Sequence, residues 1–271
     1  MSSAAPHLSV CIIACNEERE LPRCLDSVSF ADECIVVVDA RSSDGTEKLA
    51  RERGAIVRVH PYEGNVEQKN RALTLASGEW LLALDADEAV TQGLASEILD
   101  LLAAPPTGVA GFELDRITHH LGRWIRHGDF HPDWQLRLFR RASGRWLGEN
   151  PHGRVAVEGA VRRLAGELEH HSYRDLSDQI ERIQDWSAIE AQRNHAAGRR
   201  HPMRDMVLRP PARFLRAYLL KQGFRDGVPG LIIAVATAFH VFLKYAKQWE
   251  LERSGGKTRA PEAGKAGRPR G

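Results

Sequence analysis

Trp80-Leu81-Leu82-Ala83-Leu84-Asp85-Ala86-Asp87-Glu88 is the stretch on which the reading of this chain turns. A run of apolar residues from Trp80 to Leu84 has the character of a strand buried on both faces, and three carboxylates follow it within four positions. Carboxylates gathered behind an apolar strand repel one another, and burying them is costly without a cation. A hard divalent ion, Mg²⁺ or Mn²⁺, takes oxygen ligands and commonly shares them with a substrate diphosphate. The Asp-x-Asp spacing lets Asp85 and Asp87 face such an ion from a turn. The plainer alternative is a solvated turn that caps the next helix.

Outward from this stretch, strand and helix patterns alternate. Residues 8–14 (LSVCIIA), 34–38 (CIVVV) and 55–59 read as strands, and 17–29, 43–53, 65–76 and 91–103 as helices. Asn16 stands where a helix cap is expected, and Pro105-Pro106 stops the fourth helix. Alternation of this kind implies an α/β fold with a mostly parallel sheet covered by helices. Ligands of such sheets bind at the carboxyl ends of the strands. Asp39, at the end of the second strand, is placed to accept hydrogen bonds from a ribose or a base. Alternatively, its segment Asp39–Thr46 is only a turn with Ser43 or Asp44 as cap. The dinucleotide fingerprint G-x-G-x-x-G is missing there. After Pro106 the pattern changes. Residues 108–114, 134–139 and 154–157 read as strands, 175–198 as a polar helix with Ile180, Ile183, Trp186 and Ile189 on one face, and 210–222 and 228–253 as two further helices.

Composition narrows the function classes. The chain has 271 residues, with 38 Lys and Arg against 36 Asp and Glu, a formal charge of +2. That balance excludes a nucleic-acid polycation. The cysteines Cys11, Cys15, Cys24 and Cys34 read as free thiols in a reducing compartment, and Cys11 and Cys15 have neither zinc nor thioredoxin spacing. Residues 1–14 do not read as a secretory signal, so a cytoplasmic location is expected. The longest stretch without a charge, residues 228–243, is shorter than the ~20 residues that span a bilayer.

Four segments now stand in a telling order: Leu8-Ser9-Val10-Cys11-Ile12-Ile13-Ala14-Cys15-Asn16-Glu17-Glu18, Asp39–Thr46, Gln68-Lys69-Asn70-Arg71-Ala72 and Asp85-Ala86-Asp87-Glu88. Together they resemble the inverting family 2 glycosyltransferases of GT-A fold, closely over residues 8–103 and more loosely to Glu250. Residues 132–141 (PDWQLRLFRR) and 223–227 (GFRDG) resemble the branch that includes the lipopolysaccharide inner-core β-1,4-glucosyltransferases. The resemblance implies a sheet domain over 1–200; a helical membrane-proximal module is expected over 201–253, and the Gly, Ala, Pro, Lys and Arg composition reads as a disordered basic tail over 254–271. The resemblance also implies transfer of a sugar, glucose for that branch, from a UDP-sugar to a lipid-linked saccharide such as lipopolysaccharide core. Asp39, Asn16, Glu18, Lys69, Asn70 and Asp85 would line the nucleotide pocket, and Asp85 and Asp87 would hold Mg²⁺ or Mn²⁺, with Asp87 the direct ligand. Many family members carry two consecutive acids where this chain has Asp39-Ala40, and a His-Glu pair where it has His152-Gly153.

Inverting transfer needs a base for the acceptor hydroxyl and cationic stabilisation of the departing diphosphate. Asp133 is the first candidate for the base, with Asp129 and Glu149 as alternatives. Arg137 is the candidate for the diphosphate, its plainer reading being a surface salt bridge. Two enzyme rivals are weaker. His119, His120, His127, Asp129, His131 and Asp133 suggest a metal hydrolase but lack H-E-x-x-H spacing. A nucleotidyltransferase would need a Gly-rich basic loop where Asn16-Glu17-Glu18 stands. A non-enzymatic rival is an inactive membrane-surface scaffold with a transferase fold.

The C-terminal region interleaves Arg204, Arg209, Arg213, Arg216, Lys221 and Arg225 with Val207, Leu208, Phe214, Leu215, Tyr218 and Leu219. That mixture suits an anionic membrane surface; an ordinary helical subdomain is the alternative. No RNA-binding motif accompanies it. The expected partners are a nucleotide-sugar donor, a glycolipid acceptor and the inner face of the cytoplasmic membrane, with peripheral attachment and no nucleic acid.

Overall fold

The computed structural model describes residues 7–148 and 153–254. Glu149 and His152, and the tail from residue 255, lie outside the described residues. In chain order the first half runs β1 (Leu8–Ala14), α1 (Leu21–Ser27), β2 (Glu33–Asp39), α2 (Thr46–Glu52), β3 (Ile56–His60), α3 (Asn65–Leu75), β4 (Trp80–Asp85), β5 (Glu88–Val90) and α4 (Gln92–Ala103). Then come β6 (Val109–His120), β7 (Arg123–Ile125), β8 (Trp134–Arg140), β9 (Gly144–Leu147), β10 (Arg154–Val157), β11 (Ala160–His170), α5 (Leu176–Ala196), α6 (Pro202–Leu215) and α7 (Gly227–Arg253). The chain divides into two compact units. The first holds the described residues up to Arg116 and from Asp133 to His171; the second holds 117–132 and 172–254. The division thus falls elsewhere than at residue 200, and α5 belongs with the other two long helices.

A mixed sheet of nine strands has the order β3-β2-β1-β4-β8-β6-β11-β5, with β7 paired to β6. The pairs β3–β2, β2–β1 and β1–β4 are parallel, as the strand–helix alternation requires. From β4 onward, β8, β6, β11 and β5 add antiparallel pairing. Strand periodicity sorts the core. Val10, Ile12, Val36, Val38, Leu82 and Leu84 point to one face, packing with Leu21, Leu25 and Ile98. Cys11, Ile35, Val37, Leu81 and Ala83 point to the other, packing with Val66, Leu73 and Trp146. A strand buried on both faces therefore reads as an unbroken apolar run.

The structure departs from the reading of the sequence in several places, among them the short strands β5, β7 and β9. β11 was not anticipated, because its inward residues Leu164 and Leu168 flank Gly166, which breaks the apolar alternation. Gly166 lies so close to α4 that a Cβ would stand 2.5 Å from Leu94 Cα. α6 begins at Pro202, not at 210, and carries Pro210 and Pro211 inside it. The missing proline N–H groups loosen the ladder, and a π-helical turn, Arg216–Leu220, follows directly. Asn16 does not cap α1, which starts at Leu21; it adopts φ 53° and serves another purpose. In α5, Ile180 is exposed, whereas Ser187 and Ala191 are buried. The four cysteines are free thiols.

Candidate active site

The parallel register sets the carboxyl ends of the strands side by side. Ile13 of β1 lies opposite Asp85 of β4, and Asp39 ends β2 opposite His60 of β3. The antiparallel strands bring their own residues to this edge. Leu82 pairs with Leu138 of β8, Asp115 of β6 with Trp134, and His170 of β11 with Glu88 of β5. Arg137, Arg116, Asp133 and His170 thus reach the neighbourhood of the acidic turn from strands remote in sequence.

The loop after β1 is stapled to the loop after β2. Asn16 Oδ1 accepts from Ser43 N at 2.7 Å, and Asn16 N donates to Ser42 Oγ at 3.0 Å. Glu18 Oε2 accepts from Gly45 N at 2.9 Å, and a Cβ on residue 45 would stand 2.4 Å from Glu18 Oε1. Asn16 and Glu18 therefore shape the loops that border the Asp39 corner. Asp39 itself is buried and bound by Arg41, whose Nη2 lies 2.5 Å from Oδ2 and whose backbone N–H lies 2.9 Å from Oδ1. Burial alone would push the Asp39 carboxyl up, but hydrogen bonds from Arg41 outweigh it and hold the group below the usual range. Arg41 in turn lies over the Tyr62 ring at 4.1 Å.

A network of charges crosses the acidic turn. Asp85 Oδ1 meets Lys69 Nζ at 2.6 Å and Asp85 Oδ2 meets Arg137 Nη2 at 2.7 Å. Arg137 Nη2 also reaches Glu88 Oε1 at 2.6 Å. Arg116 bridges Glu88 Oε1 at 3.0 Å and Asp133 Oδ2 at 2.7 Å. Gln135 Nε2 donates to Asp133 Oδ1 at 2.5 Å. Glu88 is fully buried, and its Oε2 accepts from Asp85 N at 3.0 Å. Burial opposes ionisation of Asp85, yet Lys69 and Arg137 prevail and its carboxyl sits far below the ordinary value. Both arginines are held more firmly protonated, because Glu88 and its neighbouring carboxylate outweigh the desolvation.

Asp87 stands apart from this network. Its Oδ2 lies 3.5 Å from His170 Nε2, and its carbonyl accepts from His171 N at 2.9 Å. Burial would raise the Asp87 carboxyl, and His170 lowers it below the usual range. Among the described residues no three His, Cys, Asp or Glu side chains gather into a ready cation cage. Asp87 and His170 nevertheless fit a Mg²⁺ or Mn²⁺ ion, which takes one or two protein ligands and completes its shell with water and phosphate oxygens. Asp85, with each oxygen in an ion pair, is the weaker candidate ligand. Four carboxylates, Asp85, Asp87, Glu88 and Asp133, share this end of the sheet with Lys69, Arg116 and Arg137.

The sequence candidates separate accordingly. Lys69, Asp85, Asp87, Asp133 and Arg137 converge. Arg137 is buried and not a surface pair. Asn70 points elsewhere: its amide donates to Trp146 O at 3.0 Å and accepts from Trp146 N at 2.9 Å. That double bond fixes Trp146, whose ring lies under Lys69 at 4.1 Å. Asp129 belongs to the helical unit, where Arg213 and Lys221 hold it at 2.8 and 3.1 Å. The histidine-rich stretch does not converge: His120 pairs with Gln179, His127 with Asp226 and His131 with the Arg126 carbonyl. Glu88 was seen only as the third acid of the turn; Arg116, Trp146 and His170 were missed, because no local motif marks a residue delivered by register.

Residues 9–167 match the family described as glycosyl transferase family 2. The lipopolysaccharide core biosynthesis glycosyltransferase LpsC of Rhizobium meliloti (strain 1021) is 32% identical over 250 residues, covering 90% of this chain and 92% of that protein. The uncharacterized glycosyltransferase RT0209 of Rickettsia typhi is 26% identical over 254 residues, covering 90% and 87%. Among solved structures, residues 1–349 of S. aureus TarS overlap with a TM-score of 0.44 at 15% identity, over 95% of this chain and 97% of that one. The family match covers more than half of the chain and LpsC nearly all of it, so the chain belongs to glycosyl transferase family 2.

Proposed function

We propose that this glycosyltransferase moves a sugar, glucose in the first instance, from a UDP-sugar to a hydroxyl of a lipid-linked saccharide of the lipopolysaccharide-core type, with inversion. The observation that carries the acceptor class is the likeness to LpsC. It extends over 90% of the chain, well past residue 167, so it takes in helices of the second unit as well as the sheet. The site of work is the cytoplasmic face of the membrane that carries such an acceptor.

In this reading the nucleoside lies at the Asp39 corner, bordered by the loops that Asn16 and Glu18 tie together. The diphosphate lies along the acidic turn, where Lys69 and Arg137 supply positive charge. Asp87 and His170 would hold Mg²⁺ or Mn²⁺, beside Asp85; when bound, such an ion neutralises charge on the leaving diphosphate. Asp133 is the proton acceptor. Its Oδ2 is committed to Arg116, while Oδ1 carries one donor, Gln135, and keeps a lone pair for the acceptor hydroxyl. As the acceptor oxygen bonds to the anomeric carbon, the bond to the diphosphate breaks and the hydroxyl proton passes to Asp133.

Calorimetric titration of UDP into the protein, with and without Mn²⁺, tests the donor. Metal-dependent binding supports the reading, and turnover of UDP-glucose with a lipopolysaccharide-core acceptor completes it. Absence of UDP binding by folded protein, with another nucleotide bound in its place, would overturn the donor assignment.

A further inference from the structure

The helical unit carries apolar surface that its own packing leaves uncovered. On α7 the exposed residues Val228, Leu231, Val235, Phe239 and Phe242 recur every three or four positions, the spacing of a single helix face. Phe224 continues the stripe into the short 3₁₀ turn Gly223–Asp226. The π turn before it presents Leu219 and Leu220, the latter 80% exposed. On α6 and its continuation, Met203, Val207, Leu215 and Leu219 fall on one four-residue repeat and are all exposed.

The opposite side of α7 is committed. Ile233, Ala234, Tyr245, Gln248 and Leu251 are buried. Lys247 Nζ donates to Gln184 O at 2.6 Å and to Ser187 Oγ at 2.8 Å, and Lys244 Nζ pairs with Glu190 at 2.9 Å. These tie α7 to α5, a helix whose other residues are largely charged or polar.

Basic residues accompany the apolar ones. Residues 202–227 hold six cations, Arg204, Arg209, Arg213, Arg216, Lys221 and Arg225, against Asp205 and Asp226. Asp226 is buried, where it binds the backbone N–H groups of Arg126 and His127. Arg216 and Arg225 are exposed.

We infer that this surface seats the protein on an anionic phospholipid bilayer, with α7 lying in the plane of the interface and not crossing it. Gly223–Arg253 is long and apolar enough to span by length and composition. A span of about 20 residues would have to strip the buried side of α7 from its packing and carry charge at one end, Arg225 and Asp226 or Lys244 and Lys247, into the bilayer, which is costly. An apolar stripe on one side, polar ties on the other and an excess of Arg beside the stripe describe an interfacial helix. The inference rests on the lipid-linked acceptor reading for the choice of membrane.

The test uses the full chain and vesicles of phosphatidylethanolamine with phosphatidylglycerol, against vesicles of phosphatidylcholine alone. Sedimentation should show binding to the anionic vesicles that weakens in high salt. Arg216→Ala should weaken partitioning about fivefold, the effect of one basic residue near an anionic surface. The double variant L220E/F224E should weaken it about 30-fold or more, as expected from withdrawing buried apolar side chains. V235E/F239E should do the same. UDP binding should be unchanged in all three, which shows that they fold and separates this inference from the donor reading. Bound protein should be released by alkaline carbonate. Three results would overturn the inference: vesicle binding by the double variants equal to wild type, retention after carbonate treatment, or a wild-type dimer that L220E/F224E dissociates while vesicle binding is unaffected. The last would assign the surface to a second copy of the chain.

Discussion

Glu88→Gln should be among the most destabilising conservative changes in the sheet unit. Glu88 is fully buried and its Oε1 receives Arg137 at 2.6 Å and Arg116 at 3.0 Å, while Oε2 receives the Asp85 N–H. Glutamine keeps the shape and one acceptor but removes the charge shared by two guanidinium groups. Removing one partner of a buried ion pair costs about 3–5 kcal/mol, because the other charge stays buried without compensation. The amide oxygen can keep the guanidinium bonds, but the NH2 group then confronts the Asp85 N–H, so Glu88→Gln should cost at least about 3 kcal/mol. For a protein of this size that corresponds to a drop in Tm of roughly 6–12 °C. Glu79→Gln is the control, since Glu79 and Arg140 form a pair with side chains 52% and 30% exposed. Such a pair contributes about 0–1 kcal/mol. Urea midpoints and thermal melts of the two variants supply the comparison. A Glu88→Gln variant within about 0.5 kcal/mol of wild type, the range of an ordinary surface change, would refute the network as a structural element and return Glu88 to a simple turn residue.

Asp87→Ala should abolish turnover, by at least about a hundredfold, with urea stability close to wild type; retained activity would remove Asp87 from the diphosphate end. Asp85→Asn should free Lys69 and Arg137 and so strengthen metal-free UDP binding, read by calorimetry; weaker metal-free binding would show that those cations do not face the diphosphate. Asn70→Ala loses two hydrogen bonds to the Trp146 backbone and should destabilise by about 2 kcal/mol, with altered tryptophan emission; an unchanged spectrum and midpoint would mean that Trp146 is held by packing alone. Acid should act through the lowered carboxylates, Asp39 and Asp178 among them, whose folded values lie below the ordinary one because Arg41 and Arg182 outweigh the burial that would raise them. The unfolded chain then takes up protons first as pH falls, so their stabilisation is complete above about pH 5 and drains away through the unfolded value near 3.9 and below. Urea midpoints against pH should show this slope, and Asp39→Asn should flatten it; an unaltered slope in that variant would exclude the Asp39–Arg41 pair.

The parallel half of the sheet was legible because burial on both faces leaves an unbroken apolar run in β1, β2 and β4, bounded by polar turns. The antiparallel half was less so. β11 alternates Leu164, Gly166 and Leu168 with Arg163, Ala165, Glu167 and Glu169, and a glycine pressed against α4 leaves no hydrophobic mark in sequence. The same distinction holds at the site. Asp85 and Asp87 announce themselves because adjacent carboxylates are electrostatically odd wherever they fall. His170 and Arg116 are ordinary in their own segments, and only the pairings of β11 with β5 and of β6 with β8 bring them to the acidic turn. Asn70 illustrates the converse: its motif was visible, but whether its amide faced a ligand or a backbone depended on where β9 passes.

Asp85 is where structure and chemistry meet in this site. On the proposed reading, a nucleotide diphosphate approaching the edge would meet Lys69 and Arg137 with their charges already engaged by Asp85. They can serve the diphosphate only to the extent that Asp85 yields them, and Asp85 yields readily only if its own charge is met from another side. Asp87, paired with an imidazole and not with a guanidinium, is the carboxylate whose commitment is weakest. On the proposed reading, such an arrangement would couple donor binding to cation binding through ion-pair exchange. The buried Glu88 would permit that exchange without collapse, since it holds both Arg137 and Arg116 independently of Asp85.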